Sequence, residues 1–208
     1  EPNEVISDDF DGCGTLSPMW TWADPLGQAD YSLTGSQVRM IIPPGVNYDI
    51  WKDGNNSARL TQEVANTDFE LFVRLDSPLT AGVQTQGVLI EMSDDVFLRA
   101  DFQYDGTTLY FFAGTVDDGV GRIRFKEPIP VPATPGLSMR VHRNGDQWKM
   151  MYRANDADPW IGVPKNTFKF AMNVERVGIF AASQSTSNQT SAPGHTALFD
   201  YFFNADAP

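Results

Sequence analysis

The chain has 208 residues, of which 41% are hydrophobic and 12% aromatic, a composition typical of a folded globular domain and unlike that of a disordered segment. Its 15 basic and 27 acidic residues give a net charge of −12, and so acidic a surface repels phosphate backbones, which argues against a nucleic-acid partner. The apolar runs are much shorter than the roughly 20 residues needed to span a bilayer, so no membrane span is expected.

Alternating apolar and polar residues predict strands along most of the chain. The clearest examples are residues 68–76 and 96–104, whose pattern is typical of strands with one buried face. No stretch of twelve or more residues keeps a clean helical period. Further strands are predicted at residues 37–43, 86–92, 108–114, 137–143, 147–153, 168–173, 176–182 and 196–204.

Two dipeptides predict tight hairpins between neighbouring strands. Asp105-Gly106 separates residues 96–104 from 108–114, and Asn144-Gly145 separates residues 137–143 from 147–153. Both dipeptides suit the φ > 0 positions of type I′ turns. At least nine strands joined in this way predict two packed antiparallel sheets, and hence an all-β sandwich that forms one domain over residues 1–208.

The serial order of several short motifs resembles the concanavalin A-like lectin/glucanase superfamily. The motifs are "DDFDG", "WTWADP", "YDIW", "ARLTQ", "DFELFVRLD", "QGVLIEMSDDVFLRADF", "VGIFAA" and "FDYFF". The chain looks most like the C-terminal domains of family 43 β-xylosidases and related modules of secreted bacterial proteins. The resemblance implies a jelly roll of two curved antiparallel sheets, with a carbohydrate on the concave face. It also implies a secreted or periplasmic location and further domains in a larger protein.

Segment 47–62 carries the side chains expected of a sugar site. Sugars present apolar C–H faces and many hydroxyl groups, so their sites combine flat aromatic rings with planar polar groups. Gly54 places part of the segment in a loop, where ligand contacts are common. The candidate ligand-binding residues here are Tyr48, Trp51, Asn56, Arg59 and Gln62.

Arg99, on the predicted strand 96–104, joins this candidate set as a hydrogen-bond donor to hydroxyl groups. For Arg59 and Arg99 an alternative interpretation is equally consistent with the sequence, namely that each is a buried partner of an Asp or Glu.

Trp20 and Trp22 are also candidates for ring stacking. A spacing of two on an extended chain directs both indoles to the same side of a sheet. That side can meet the ligand, with the outer edge of a ring available to it, or the core between the sheets, where Trp is usually found.

The sequence argues against an enzyme but does not exclude one. A glycosidase needs two carboxylates facing one sugar, and the Glu-x-Asp-x-(x)-Glu motif of the laminarinase-like members of the superfamily is absent. His142 reads as a surface residue of a strand and His195 as a loop residue, so neither predicts a catalytic base. The leading hypothesis is a non-catalytic carbohydrate-binding module. A hydrolase, a lyase or an accessory domain of one, and a structural or adhesive sandwich, stay as alternatives.

The resemblance further implies a structural calcium ion between the first and last strands. Asp9 and Asp11 near the first strand, with Asp200 on the last, offer the hard oxygen ligands that Ca²⁺ prefers. The spacing of an EF-hand loop is absent. A solvated acidic turn is the alternative interpretation of these residues.

Overall fold

The computed structural model describes residues 4–12, 14–51, 54–185 and 191–205. Within these ranges the regular elements are strands, and there is no helix long and apolar enough to cross a membrane. The strands are β1 Thr21–Ala23, β2 Asp30–Leu33, β3 Val38–Ile42, β4 Ala58–Glu63, β5 Phe69–Leu75, β6 Gln84–Glu91, β7 Phe97–Tyr104, β8 Leu109–Asp117, β9 Val120–Ile129, β10 Leu137–Asn144, β11 Gln147–Arg153, β12 Ile161–Lys169, β13 Arg176–Ser183 and β14 His195–Asn204.

The strands form two seven-stranded antiparallel sheets. The first sheet has the order β1-β4-β13-β6-β7-β8-β9, and the second has the order β12-β11-β10-β5-β14-β3-β2. The inner faces of both sheets meet in one large apolar cluster that includes Trp148, Phe102 and Phe199. The predicted all-β sandwich of two antiparallel sheets is therefore confirmed.

Both predicted hairpins are present. Strands β7 and β8 pair up to Tyr104 and Leu109 around Gly106, whose φ is 100°. Strands β10 and β11 pair up to Asn144 and Gln147, and Gly145 has a φ of 56°. These left-handed values are costly for a side chain with a Cβ, which is why the glycines mark the turns in the sequence.

The strand predicted at residues 168–173 is wrong beyond Lys169. Strand β12 ends at Lys169, and the chain from Phe170 to Val174 alternates buried and exposed residues without joining a ladder. The backbone N–H of Phe170 donates to the carbonyl of Asp146 at 2.9 Å, and Trp148 donates its indole N–H to the carbonyl of Phe170 at 2.9 Å. Every second side chain of this segment is buried against the core, a pattern that an extended loop can have as well as a strand.

A second, smaller apolar cluster lies on the outer face of the first sheet. Its members from the strands are Leu89, Phe97, Val116, Phe180 and Ala182. Strand alternation directs these side chains away from the main core, and they would be exposed if nothing covered them. Residues 43–51 and 54–57, called the covering loop below, lie between β3 and β4 and place Ile50 and Trp51 against this cluster.

Candidate functional site

The covering loop is fixed to the first sheet by backbone hydrogen bonds. The N–H of Tyr48 donates to the carbonyl of Ser183 at 2.8 Å, and the N–H of Ser183 donates back to Tyr48 at 3.3 Å. Within the loop, Ile50 and Asn55 form a bridge, and the N–H of Asn56 donates to the carbonyl of Asp49 at 2.8 Å. These bonds hold the described parts of the loop against the outer face of the first sheet, with β13 as the partner of Tyr48.

Tyr48 is part of this anchorage and not of a ligand surface. Its side chain is 0% exposed, and its hydroxyl donates to Asp24 Oδ1 at 3.0 Å and accepts from the N–H of Gln28 at 3.2 Å. Burial, with the hydrogen bond to Asp24, raises the pKa of Tyr48 to about 12. The prediction that Tyr48 binds a sugar is therefore wrong, because no face of its ring is exposed.

Trp51 lies across two glycines of neighbouring strands. A Cβ on Gly121 would come 2.7, 2.9 and 3.1 Å from Cε2, Cζ2 and Nε1, three contiguous atoms of the indole. A Cβ on Gly114 would come 2.6 Å from Cζ3. Such distances to adjacent ring atoms mean that the flat face of the indole rests on the backbone of β8 and β9. Its opposite face points away from the sheet, and the residue is only partly buried.

The two glycines are positions of the candidate site that the sequence analysis missed. Each occupies an outward-facing place in a strand, where a side chain would displace the indole, since real Cβ atoms do not approach so closely. Glycine is normally unfavourable in a strand interior and often marks close approach of another group. A glycine in an alternating strand was therefore the available signal, at Gly114 in "LYFFAG" and at Gly121 in "DDGVGR".

Beneath the covering loop, Arg99 forms a buried ion pair with Asp101. Arg99 Nε donates to Asp101 Oδ2 at 2.7 Å and Nη2 donates to Oδ1 at 3.2 Å, while Nη1 donates to the carbonyl of Ile50 at 2.8 Å. Its guanidinium lies 4.7 Å from the ring centroid of Phe112. Burial raises the pKa of Asp101, and the charge of Arg99 opposes that rise. Arg99 therefore contacts the covering loop from the side of the sheet. Of the two interpretations of this residue, the buried ion pair is the one that the structure shows.

Arg59 belongs to a second buried network. Its Nε lies 3.3 Å from Glu91 Oε1, and its Nη2 lies 2.9 Å from Asp94 Oδ1. Glu91, which is 0% exposed, also accepts from Asn55 Nδ2 at 2.9 Å and from Arg176 Nε at 3.1 Å. The sugar contact expected of Arg59 is replaced by these ion pairs, which hold the end of the covering loop against β6.

A polar groove lies beside the covering loop, where the loop meets the end of β13. Its volume is about 310 Å³. Gln184 Nε2 donates to Asp49 Oδ1, and Ser185 donates to Asn47 Oδ1 from its backbone N–H at 2.9 Å. Asn56, one of the predicted ligand-binding residues, is partly buried and lines the same groove. The groove thus brings amide, carboxylate and hydroxyl groups together on one side of the loop that carries Trp51.

Solved structures match nearly the whole chain, whereas no family model and no curated protein matches it. The GH43 protein BlXynB from Bacillus licheniformis matches with a TM-score of 0.71 and 20% identity, over 97% of this chain and 39% of that chain. A functionally unknown protein from Saccharomyces cerevisiae matches with a TM-score of 0.70 and 14% identity, over 91% of this chain and 97% of that chain. The CBM2 module of the evolved Dit of Lactobacillus casei phage J-1 matches with a TM-score of 0.60 and 10% identity, over 95% and 94%.

The chain has the concanavalin A-like β-sandwich fold. The resemblance seen in the sequence is therefore confirmed at the level of architecture. The chain spans 39% of the length of the GH43 protein BlXynB. Likenesses at this identity show the fold and leave activity to the residues of the site.

Within this fold Trp20 and Trp22 face the core between the sheets. Trp20 is 6% exposed, donates its indole N–H to Asp8 Oδ2 at 2.8 Å, and packs edge-on against Phe202 with centroids 5.2 Å apart. Trp22 is partly buried against the same core and lies 4.9 Å from the ring of Tyr31. The two indoles do share a side, as their spacing predicts, but that side is the interior. The prediction that Trp20 and Trp22 stack on a ligand is therefore wrong, and the alternative that they face the core is confirmed.

Gln62 lies on the inner side of β4 and binds the N-terminal segment. Its Oε1 accepts from the N–H of Ile6 at 2.8 Å, and its Nε2 donates to the carbonyl of Ile6 at 3.0 Å. The side chain is buried, so its amide pairs with backbone where the sequence predicted a sugar hydroxyl.

The three predicted calcium ligands do not share a site. Asp9 and Asp11 are exposed, and the negative charge of Asp9 raises the pKa of Asp11. Asp200 sits beside Asp76 and Arg74, and its pKa is raised by burial and by the charge of Asp76. Over the described ranges no group of three or more Asp, Glu, His or Cys side chains is placed to hold a metal. These side chains do not fit the calcium site that the fold family implies.

Calcium binding at any other place stays a prediction that melting experiments check. If the sandwich binds Ca²⁺ structurally, millimolar CaCl₂ is expected to raise Tm and EDTA to reverse the rise, because a ligand of the native state stabilises it by mass action. Asp9→Asn and Asp200→Asn should leave that rise unchanged. An identical Tm with CaCl₂ and with EDTA would contradict structural calcium binding.

Proposed function

We propose that the chain is a non-catalytic carbohydrate-binding module whose ligand stacks on the free face of Trp51. The observation that carries the proposal is the indole held flat on Gly114 and Gly121 by the strands beneath it. Apolar C–H faces of sugars stack on such rings, and a ring that is already fixed loses little conformational freedom when it binds. Of the aromatic residues predicted as ligand contacts, Trp51 keeps this geometry.

The polar groove supplies the second component of the proposed site. Asn47, Asp49 and Asn56 come from the same loop as Trp51, and Gln184 comes from the chain after β13. Amide and carboxylate groups pair with hydroxyl groups and so fix the orientation of a sugar. The net charge of −12 disfavours an acidic polysaccharide, so the proposed ligand is an uncharged poly- or oligosaccharide.

The similar structures support this proposal. Two of them are described as a GH43 protein and as a CBM2 module, which is consistent with a carbohydrate-related role. Because the chain spans 39% of the GH43 protein, we also propose that it acts beside other domains of a larger secreted or periplasmic bacterial protein.

Trp51→Ala tests the proposal. Affinity electrophoresis against a panel of soluble xylans, arabinans, galactans and glucans identifies the glycan that retards the parent protein, with an expected Kd between about 1 mM and 1 μM. Trp51→Ala is expected to weaken retention on that glycan by about 10-fold or more, equivalent to about 1.4 kcal/mol or more of stacking energy. Incubation with the same panel and reducing-sugar detection separates binding from hydrolysis.

Two further variants serve as controls. Trp160→Ala removes a partly buried indole that stacks on Phe72 in the second sheet, 5.4 Å between centroids, and should leave retention unchanged. Gly121→Val keeps Trp51 but displaces its indole from the backbone of β9, and should weaken retention as Trp51→Ala does. Unchanged retention of Trp51→Ala on every glycan bound by the parent would overturn the proposed site.

A further inference from the structure

A cavity of about 170 Å³ lies at one end of the sandwich, between the two sheets. Two connections cross from one sheet to the other at this place, residues 76–83 from β5 to β6 and residues 130–136 from β9 to β10. The walls include Leu79, Phe102 and Leu137. Among the lining residues that the structure describes, Ser77 and Gln86 are the two with polar side chains. The cavity is thus an apolar space with one polar corner.

Residues of the connection between β9 and β10 line the cavity without filling it. Val131 lines the rim, yet its side chain is 69% exposed and does not turn inward to fill the space. Pro132 and Pro135 in the same connection have fixed φ angles and limit how the loop can settle. Gly136 has a φ of 126°, and a Cβ there would collide with Arg74 Nη2. The side chains of this connection therefore leave the apolar space beside them unfilled.

The polar corner can recognise one substituent on such a ligand. Gln86 Nε2 donates to the carbonyl of Ser77 at 2.9 Å, and Gln86 Oε1 accepts from the hydroxyl of Ser77 at 2.6 Å. A primary amide has two N–H donors and two acceptor lone pairs. One N–H and one lone pair of Gln86 are therefore free of the bonds to Ser77.

We propose that this cavity binds a molecule with one six-membered ring and a single uncharged hydrogen-bonding substituent, of which phenol is the simplest. The volume sets the size, because an apolar protein cavity of about 150 Å³ accepts benzene. No described lining residue is ionisable, so the side chains of the wall offer no counterion to a charged ligand. The proposed site differs in residues and in ligand chemistry from the glycan site at Trp51.

Titration of ¹⁵N-labelled protein with phenol tests the inference. Saturable amide shifts are expected at Leu109, Leu137 and their neighbours, with a Kd in the millimolar range or below. Toluene should bind at the same amides, while benzoate, whose charge the cavity cannot solvate, should cause no saturable shift there. Leu79→Phe and Leu79→Trp place successively larger side chains at the wall, and Leu79→Trp is expected to weaken phenol binding by about 10-fold or more because the ligand volume is occupied.

Ile161→Trp is the matched control, because Ile161 is 45% exposed and lies outside the cavity wall. It should leave phenol binding unchanged, as should Trp51→Ala. The inference fails if neither phenol nor toluene gives saturable shifts at the lining amides. It also fails if both wall variants bind phenol like the parent, or if Trp51→Ala abolishes the shifts, which would place the ring on the indole.

Discussion

Replacing Asp101 with Ala is expected to lower the free energy of unfolding by about 3–5 kcal/mol, because it leaves the buried guanidinium of Arg99 without its counterion. Asp101 is 0% exposed and Arg99 is 4% exposed, so water cannot replace the lost carboxylate. Arg99 also donates to the carbonyl of Ile50 at 2.8 Å. The variant should therefore loosen the covering loop, which carries Trp51, before the sandwich unfolds.

Urea denaturation followed by tryptophan fluorescence measures this effect. Asp117→Ala is the matched control, because Asp117 is exposed at the end of the neighbouring strand β8, and its change should stay within about 0.5 kcal/mol. The double variant Arg99→Leu/Asp101→Leu should recover much of the loss, since an apolar pair needs no desolvation. A loss below about 1 kcal/mol in Asp101→Ala would show that the pair is not the buried unit described above.

The stability of the protein is expected to fall by about 3 kcal/mol between pH 6.5 and pH 4 through a single histidine, His195. It is 4% exposed at the start of β14, its Nε2 has no hydrogen-bond partner among the residues that the structure describes, and burial lowers its pKa to about 4. The unfolded chain takes up the proton at its ordinary pKa of about 6.5. The unfolded state therefore binds more protons throughout this window, and stability is lost as the pH falls.

Urea midpoints measured from pH 7 to pH 4 check this dependence. In His195→Phe this part of the slope should disappear, because the ring no longer titrates. His142→Phe removes the other histidine, a partly buried residue of β10, and should keep the slope of the parent. Equal pH profiles for the parent and His195→Phe would disprove the assignment. The sequence predicted His195 in a loop, and this prediction is wrong because β14 begins at His195 and pairs it with Ile42.

Local patterns in the sequence were sufficient for the class of fold and for nine of the fourteen described strands, while β1, β2, β4, β9 and most of β12 were not predicted. Alternation along residues 68–76 and 96–104 corresponds to β5 and β7, and Asn144-Gly145 closes the β10–β11 hairpin. These signals are local because side-chain direction in a strand and backbone freedom at a glycine depend on a few neighbouring residues. In residues 170–174 buried and exposed side chains alternate in an extended loop, and there the same signal predicted a strand that is absent.

The sequence by itself determined that this chain folds into two antiparallel sheets with Trp20 and Trp22 on a common side, and that residues 47–62 contain a loop rich in aromatic and amide groups. Only the tertiary structure decided which of these groups face solvent. The period of two separates the faces of a strand but does not say which face a distant segment covers. The covering loop buries Tyr48 and satisfies Arg99, while Gly114 and Gly121, more than 60 residues away in the chain, hold Trp51 flat. Exposure is a property of such long-range contacts, and no local pattern records it.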